Sequence, residues 1–244
     1  MSKTSLHTRR IAISAIFLSI ALVLRLVLTF YFPIYGHNGV RVNPGTIFAI
    51  LPAILFGPVY GAIVAGLFDL LGFLLRPTGA FLPWMTIVVA TGGLLRGVLW
   101  RSLRNRNHTA LRVCILIFAI LLLLFGIINM AFLQIGGITA RLIGAAGFAL
   151  LLLAVDRILS KWFIKEERQS SVLPLTITIL LAGFFVSTLN TVVLHQLFWS
   201  AIPFTAVWVP RVVISFLVDI VFVYFVALLL GLFERQDGLR NLVE

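Results

Sequence analysis

IAISAIFLSIALVLRLVLTFYFP, residues 11–33, is the segment from which the rest of the chain can be read. Roughly 23 residues at about 1.5 Å each exceed the thickness of a hydrocarbon core of about 30 Å, so the segment is long enough to cross a membrane with some tilt. Its only charge is Arg25. It follows Arg9 and Arg10 and lacks a small-residue cleavage site, which predicts a retained anchor with the N-terminus in the cytoplasm.

The same character extends over nearly all of the 244 residues, which are 61% apolar and 11% charged with a mean hydropathy of +1.13. Such a composition describes a polytopic membrane protein. Lipid offers no partners to backbone amides, so the choice lies between helices and a closed barrel. Long unbroken apolar runs exclude the short alternating strands of a barrel. The expected fold is an all-α integral membrane bundle.

Further spans are predicted over 46–56, 59–75, 83–100, 111–133, 138–159, 172–198 and 205–233, giving about eight crossings. Asn43-Pro44-Gly45 can open the second, with Asn as cap and Pro in the first turn, and Gly57-Pro58 separates it from the third. Basic residues collect at Arg9/Arg10, at Arg101/Arg104/Arg106/Arg112 and at Arg157/Lys161/Lys165/Arg168, each group an even number of spans from the next. Lys and Arg in short loops stay on the cytoplasmic side, so both termini are expected there. The net charge of +11 then reflects topology and contact with anionic lipid, at about 1 kcal/mol per basic residue near the surface. No basic stripe interleaved with aromatics lies outside the spans, which argues against nucleic acid as a partner.

Cys114 is the sole cysteine, excluding a disulfide or multi-cysteine metal site within one chain. The sequence has no phosphate-binding loop, zinc-protease helix or nucleophile elbow, so neither ATP hydrolysis nor standard hydrolase chemistry is expected. No cofactor or metal is called for, and any energy must come from partners or ion gradients.

The ionisable residues at membrane depth remain. Each costs about 2.5 to 3.5 kcal/mol at the bilayer centre and therefore needs a partner, a cavity or an interface. Arg25, Arg41, His195 and Arg211 fall in the outer half or outer loops, Asp69 and Asp219 deeper, and Arg96 and Asp156 near the cytoplasmic ends. An outward-opening basic cavity would suit an anionic ligand. Structural alternatives stand beside this reading. Arg25 could pair with Asp69 or Asp219 as a bundle cross-link, and Arg211, after Pro210, could snorkel to the interface. His195 has no second ligand at helical spacing, and Trp84, Trp199 and Trp208 fall where an aromatic belt is expected. Ala15/Ser19 and Ala62/Gly66 place small residues one turn apart, a spacing that lets another helix approach closely.

Arg41, Gly45, Leu55-Phe56-Gly57-Pro58, Asp69-Leu70-Leu71-Gly72 and Pro77-Thr78-Gly79-Ala80-Phe81 with Pro83 form an ordered set. Together with Thr8-Arg9-Arg10, Arg25, Leu189-Asn190-Thr191 and Arg211, this set resembles the folate-family substrate-binding (S) components of energy-coupling factor (ECF) vitamin transporters.

The resemblance implies a single membrane domain in which 8–104 form the first four core helices and 172–235 the last two. Residues 111–165 would be an inserted helical hairpin outside this six-helix core. It implies a subunit of an ABC-type importer in the bacterial cytoplasmic membrane. Such a subunit captures a vitamin at the outer face and passes it to a transmembrane coupling subunit and two ATPase subunits. The loops at 34–43 and 76–82 would close over the ligand, and Ala15 and Ser19 on the first helices would face the coupling subunit, with Ala62 and Gly66 as further partner contacts. Substrate contacts are expected from Arg25, Arg41, Phe81, Trp84, Asn190, His195, Trp208 and Arg211. Arg would hold a carboxylate, the aromatics would stack on a ring, and Asn190 would read a heterocycle edge. Departures at 42–46, at Trp84 and at Val192-Val193 alter the pocket, so the ligand is expected to be folate-like or a related small anion. Two other classes stay open: an intramembrane enzyme using Asp69, Asp219 or His195 as acid–base groups, and a stand-alone ion-coupled carrier built on breaks at Pro52 and Pro83.

Overall fold

A computed structural model describes residues 3–34, 37–77, 79–128, 130, 138–162 and 169–234. Thr78 of the expected closing loop, and Lys165 and Arg168 of the third basic group, lie outside the described residues. The protein is an all-α membrane protein with one small β-hairpin. Its elements are α1 (Lys3–Val27), β1 (Phe30–Ile34), β2 (His37–Val42), α2 (Gly45–Leu55), α3 (Pro58–Leu75), α4 (Pro83–Leu103), α5 (His108–Ile128), α6 (Ile138–Trp162), α7 (Gln169–Phe198) and α8 (Phe204–Glu234). Six helical segments among the described residues are long and apolar enough to cross a membrane: Leu6–Val27, Pro58–Leu75, Pro83–Leu103, Thr109–Ile128, Val172–Phe198 and Phe204–Phe233.

The first expected span runs past the true end of α1. Its last residues, with Tyr31, Phe32 and Pro33, belong to β1, which pairs antiparallel with β2 in the register Tyr31↔Arg41 and Phe32↔Val40. Aromatic and β-branched residues suit a pleated ribbon, and Pro33, which has no N–H to give the ladder, sits where the register shifts. The loop expected at 34–43 is thus largely the second strand of this hairpin. Gly39 is needed there, because a Cβ would overlap the Ile34 side chain.

At 11 residues, α2 covers about 16 Å, roughly half the hydrocarbon core. It is apolar on all sides and its Ile50 and Leu51 are fully buried, as expected of a helix enclosed by others. It packs on α1, α3 and α8. Asn43 fixes its entry: the Oδ1 accepts from the Gly45 amide at 2.6 Å, while Nδ2 donates to Thr29 Oγ1 at 2.9 Å. A Cβ at Gly45 would strike the Ala21 carbonyl, so α2 starts hard against α1. Gly57, at φ +102°, takes the left-handed conformation that breaks α2 from α3, and Pro58 opens α3.

The chain divides into two compact units, residues 1–101 with 178–244, and residues 102–177. In the first, α3 and α4 meet through glycine: a Cβ at Gly61 would overlap the Gly93 carbonyl, and one at Gly93 the Gly61 carbonyl. Ala62 and Gly66 are half-buried, and a Cβ at Gly66 would lie 3.3 Å from the Ala90 Cβ, so this small-residue pair lies beside a contact within the chain. Ala15 and Ser19 are exposed on α1 instead, the Ser19 hydroxyl donating to the Ala15 carbonyl at 2.9 Å. In the second unit α5 packs on α6, and Arg112 Nε donates to the buried Asp156 Oδ2 at 2.9 Å.

Candidate functional site

The first unit encloses a cavity of about 360 Å³, within the size range of small-ligand sites. The hairpin closes one end with Tyr31 and the 39–43 segment. Arg25 on α1, Asp69 and Phe73 on α3, residues 80–82, and Met85 and Arg96 on α4 form one side. The other side comes from two stripes. On α8 these are Arg211, Ser215, Asp219 and Phe222, and on α7 Gly183, Ser187, Asn190, Leu194 and Phe198. Spacings of three and four place each stripe on one helix face. The stripes are joined by the Ser187 and Ser215 hydroxyls at 3.1 Å.

Arg25 is buried and already engaged. Its Nη1 donates to the Phe68 carbonyl at 2.5 Å, its Nη2 lies 3.6 Å from Asp69 Oδ1, and the guanidinium sits over the Phe68 ring at 5.0 Å. The glycine at 72 makes room for it, since a Cβ there would overlap the guanidinium. Asp69 also accepts from Arg41 Nη2 at 3.1 Å and from the Thr86 hydroxyl at 2.9 Å. One carboxylate therefore ties α1, β2 and α4 to α3. Of the two pairings open for Arg25, the structure has the one with Asp69.

Arg211 holds the closed end. Its Nε donates to Thr191 Oγ1 at 2.8 Å, its Nη1 donates to the carbonyl of Gly39, and its guanidinium lies 5.8 Å from the Trp199 ring centroid. Phe81 lines the cavity and leans on Phe73 with ring centroids 5.0 Å apart. Asn190 faces the cavity with a buried Oδ1 that has no hydrogen-bond partner.

Arg25, Arg41, Phe81, Asn190 and Arg211 are thus brought together. Trp84, His195 and Trp208 are not among the lining residues. Trp84 is 67% exposed; His195 Nε2 is 2.7 Å from the Ile202 carbonyl oxygen; Trp208 Nε1 donates to Thr188 Oγ1 at 3.0 Å and stacks on Phe204. Two charged residues reach the cavity that were not expected to contact a ligand, Arg96 and Asp219. The signal for Asp219 was available in its i+4 and i+8 spacing from Ser215 and Arg211. Arg96 gave none beyond a charge in a glycine-rich helix. Four arginines against two aspartates line the cavity, an excess of two positive charges that favours an anionic ligand.

Asp69 and Asp219 line the cavity, but His195 does not join them there. Asp69 is bound by two arginines, and His195 lies outside the lining.

The family model of the ECF-type riboflavin transporter, S component, matches residues 5–156, which run from α1 through most of α6. The folate transporter FolT of Clostridium novyi (strain NT) is 28% identical over 120 residues, covering 49% of this chain and 67% of that protein. No solved structure matches.

Proposed function

The chain belongs to the ECF-type riboflavin transporter S-component family, a family of transporter subunits rather than enzymes, and from this membership we propose that it is the substrate-binding subunit of an ECF-type importer. Its ligand is a small anionic vitamin with a flat ring system, folate-like or related. The observation that carries this reading is the cavity itself: a chamber with excess positive charge, aromatic Phe81 and Phe73 at its wall, an unpartnered Asn190 Oδ1, and a β-hairpin across one end. Its similarity to a folate transporter supports a folate-like ligand.

In this reading the ligand enters at the hairpin end, which faces the outside of a bacterial cytoplasmic membrane, and both termini lie in the cytoplasm. Arg41, at 36% side-chain exposure, meets the carboxylates first, and the ring passes between Phe81 and the α7 and α8 stripes. Closure of the hairpin, held by Arg211, retains the ligand. A transmembrane coupling subunit and two ATPase subunits then drive its release inward. Exposed Ala15 and Ser19 on α1, beside exposed Ile11, Ile16 and Val23, support this face as the docking surface for the coupling subunit.

Uptake of labelled folate and riboflavin into cells lacking their own carriers tests the proposal. Accumulation is expected only when the chain is co-expressed with a coupling subunit and ATPases. Accumulation by the chain alone would point to the ion-coupled carrier instead.

A further inference from the structure

Arg96 and Asp219 bring opposite charges to the same cavity. Along α8, Asp219 lies two turns, about 12 Å, beyond the Arg211 that holds the hairpin. Both residues are only 8% exposed. Arg96 Nε has no hydrogen-bond partner, and among the described residues no hydrogen bond or ion pair within 4.0 Å engages the Asp219 carboxylate. The carboxylate rests on bare backbone, since a Cβ at Gly183 would overlap its Oδ2.

Buried opposite charges ordinarily close on each other, because each left alone loses its hydration without return. These two line the same cavity, yet among the described residues no ion pair within 4.0 Å joins them. A third body that satisfies both fits that spacing: one that gives N–H donors to the carboxylate and an acceptor to the guanidinium. Val186, Val218 and Phe222 supply apolar walls around them, as a flat ring requires. Asn190, nearer the hairpin, adds an acceptor that has no partner.

The two vitamins named by the comparisons differ at the edge such a pair would read. A flavin presents carbonyl, N–H, carbonyl, which sets an oxygen lone pair against any carboxylate that approaches the N–H. A pterin presents amino, ring N–H, carbonyl: two adjacent donors match both oxygens of one carboxylate, and the carbonyl then falls to a cation. Resting on the vitamin-binding reading above, we propose that Asp219 and Arg96 select a 2-amino-4-oxopyrimidine edge, as in a pterin, over the dioxo edge of a flavin. The excess positive charge at the hairpin end is left for the acidic part of the ligand.

The test is a direct binding titration of the full chain in detergent with pterin-6-carboxylate and with lumazine-6-carboxylate, which differ only by amino against oxo at ring position 2. The pterin should bind about 10- to 100-fold tighter, the range for hydrogen bonds to a charged group. The isosteric Asp219→Asn should shrink that ratio to below about threefold, because the amide replaces one acceptor oxygen by an NH2 donor, which opposes the pterin amino group and suits the lumazine carbonyl. The comparison of the two ligands on the unaltered chain stands even if the variant does not fold. Equal binding of the two, or a ratio unchanged in Asp219→Asn, overturns the assignment. Tight riboflavin binding with pterins rejected sinks this inference alone; failure of every vitamin to bind sinks the receptor reading with it.

Discussion

Arg211 on α8 donates to the carbonyl oxygen of Gly39 on β2, a residue 172 positions away in the sequence, and so fastens the hairpin to the bundle at the cavity's end. The same side chain donates to Thr191 on α7. Its hydrogen bonds therefore go to the protein, and under the proposed function its part is to hold the hairpin closed over the ligand.

Arg211→Gln should accordingly act on escape more than on entry. Losing a charge-assisted bond worth about 1.5 to 3 kcal/mol should raise the ligand dissociation rate about 10- to 100-fold with little change in the association rate. Stopped-flow dissociation measures it.

Asp69 is the counter-charge for the buried Arg25. Asp69→Asn leaves that guanidinium uncompensated and should destabilise the protein by about 3 to 5 kcal/mol. Arg41→Ala, which removes the half-exposed partner of the same carboxylate, should cost less than about 1 kcal/mol. Denaturant unfolding in detergent separates the two.

Trp84 and Asn190 make a paired test of the site's boundary. Trp84→Ala, at an exposed position outside the lining, should leave affinity within about twofold. Asn190→Ala should weaken it about tenfold, the worth of one hydrogen bond. Equilibrium titration of both variants reads the difference.

Gly93 lets α4 lie against α3 and so aims Arg96 into the cavity. Gly93→Leu should force the helices apart, lowering stability by about 1 to 3 kcal/mol and weakening ligand binding together. Thermal unfolding and titration of one preparation check both.

Ala15→Leu should do the reverse of a pocket mutation. The chain should bind ligand normally, while co-purification with a coupling subunit and vitamin uptake both fall.

The helical membrane fold was legible because apolar runs of crossing length admit no other reading. The hairpin was not. Residues 30–33 are as apolar as the helix before them, and only aromatic content and Pro33 hint at the change. Arg25, Arg41, Phe81, Asn190 and Arg211 line the cavity, but the bonding of Arg25 and Arg211 depends on backbone carbonyls at Phe68 and Gly39 that no sequence pattern marks. Trp84, His195 and Trp208, which lie outside the lining, share with the lining residues only their expected height in the membrane. Height says nothing about which face of a helix a side chain takes. Asp219 illustrates the remedy: on α8, the polar residues at 211, 215 and 219 mark the inward stripe by themselves.

Under the proposed function the chamber beneath the hairpin binds a vitamin. Equilibrium titration of the purified full chain with folate and riboflavin tests it most directly. Saturable, one-to-one, submicromolar binding of at least one of them is expected, weakened by Asn190→Ala without change in unfolding temperature. Absence of saturable binding by either, or binding indifferent to Asn190, Arg96 and Asp219 alike, would contradict it.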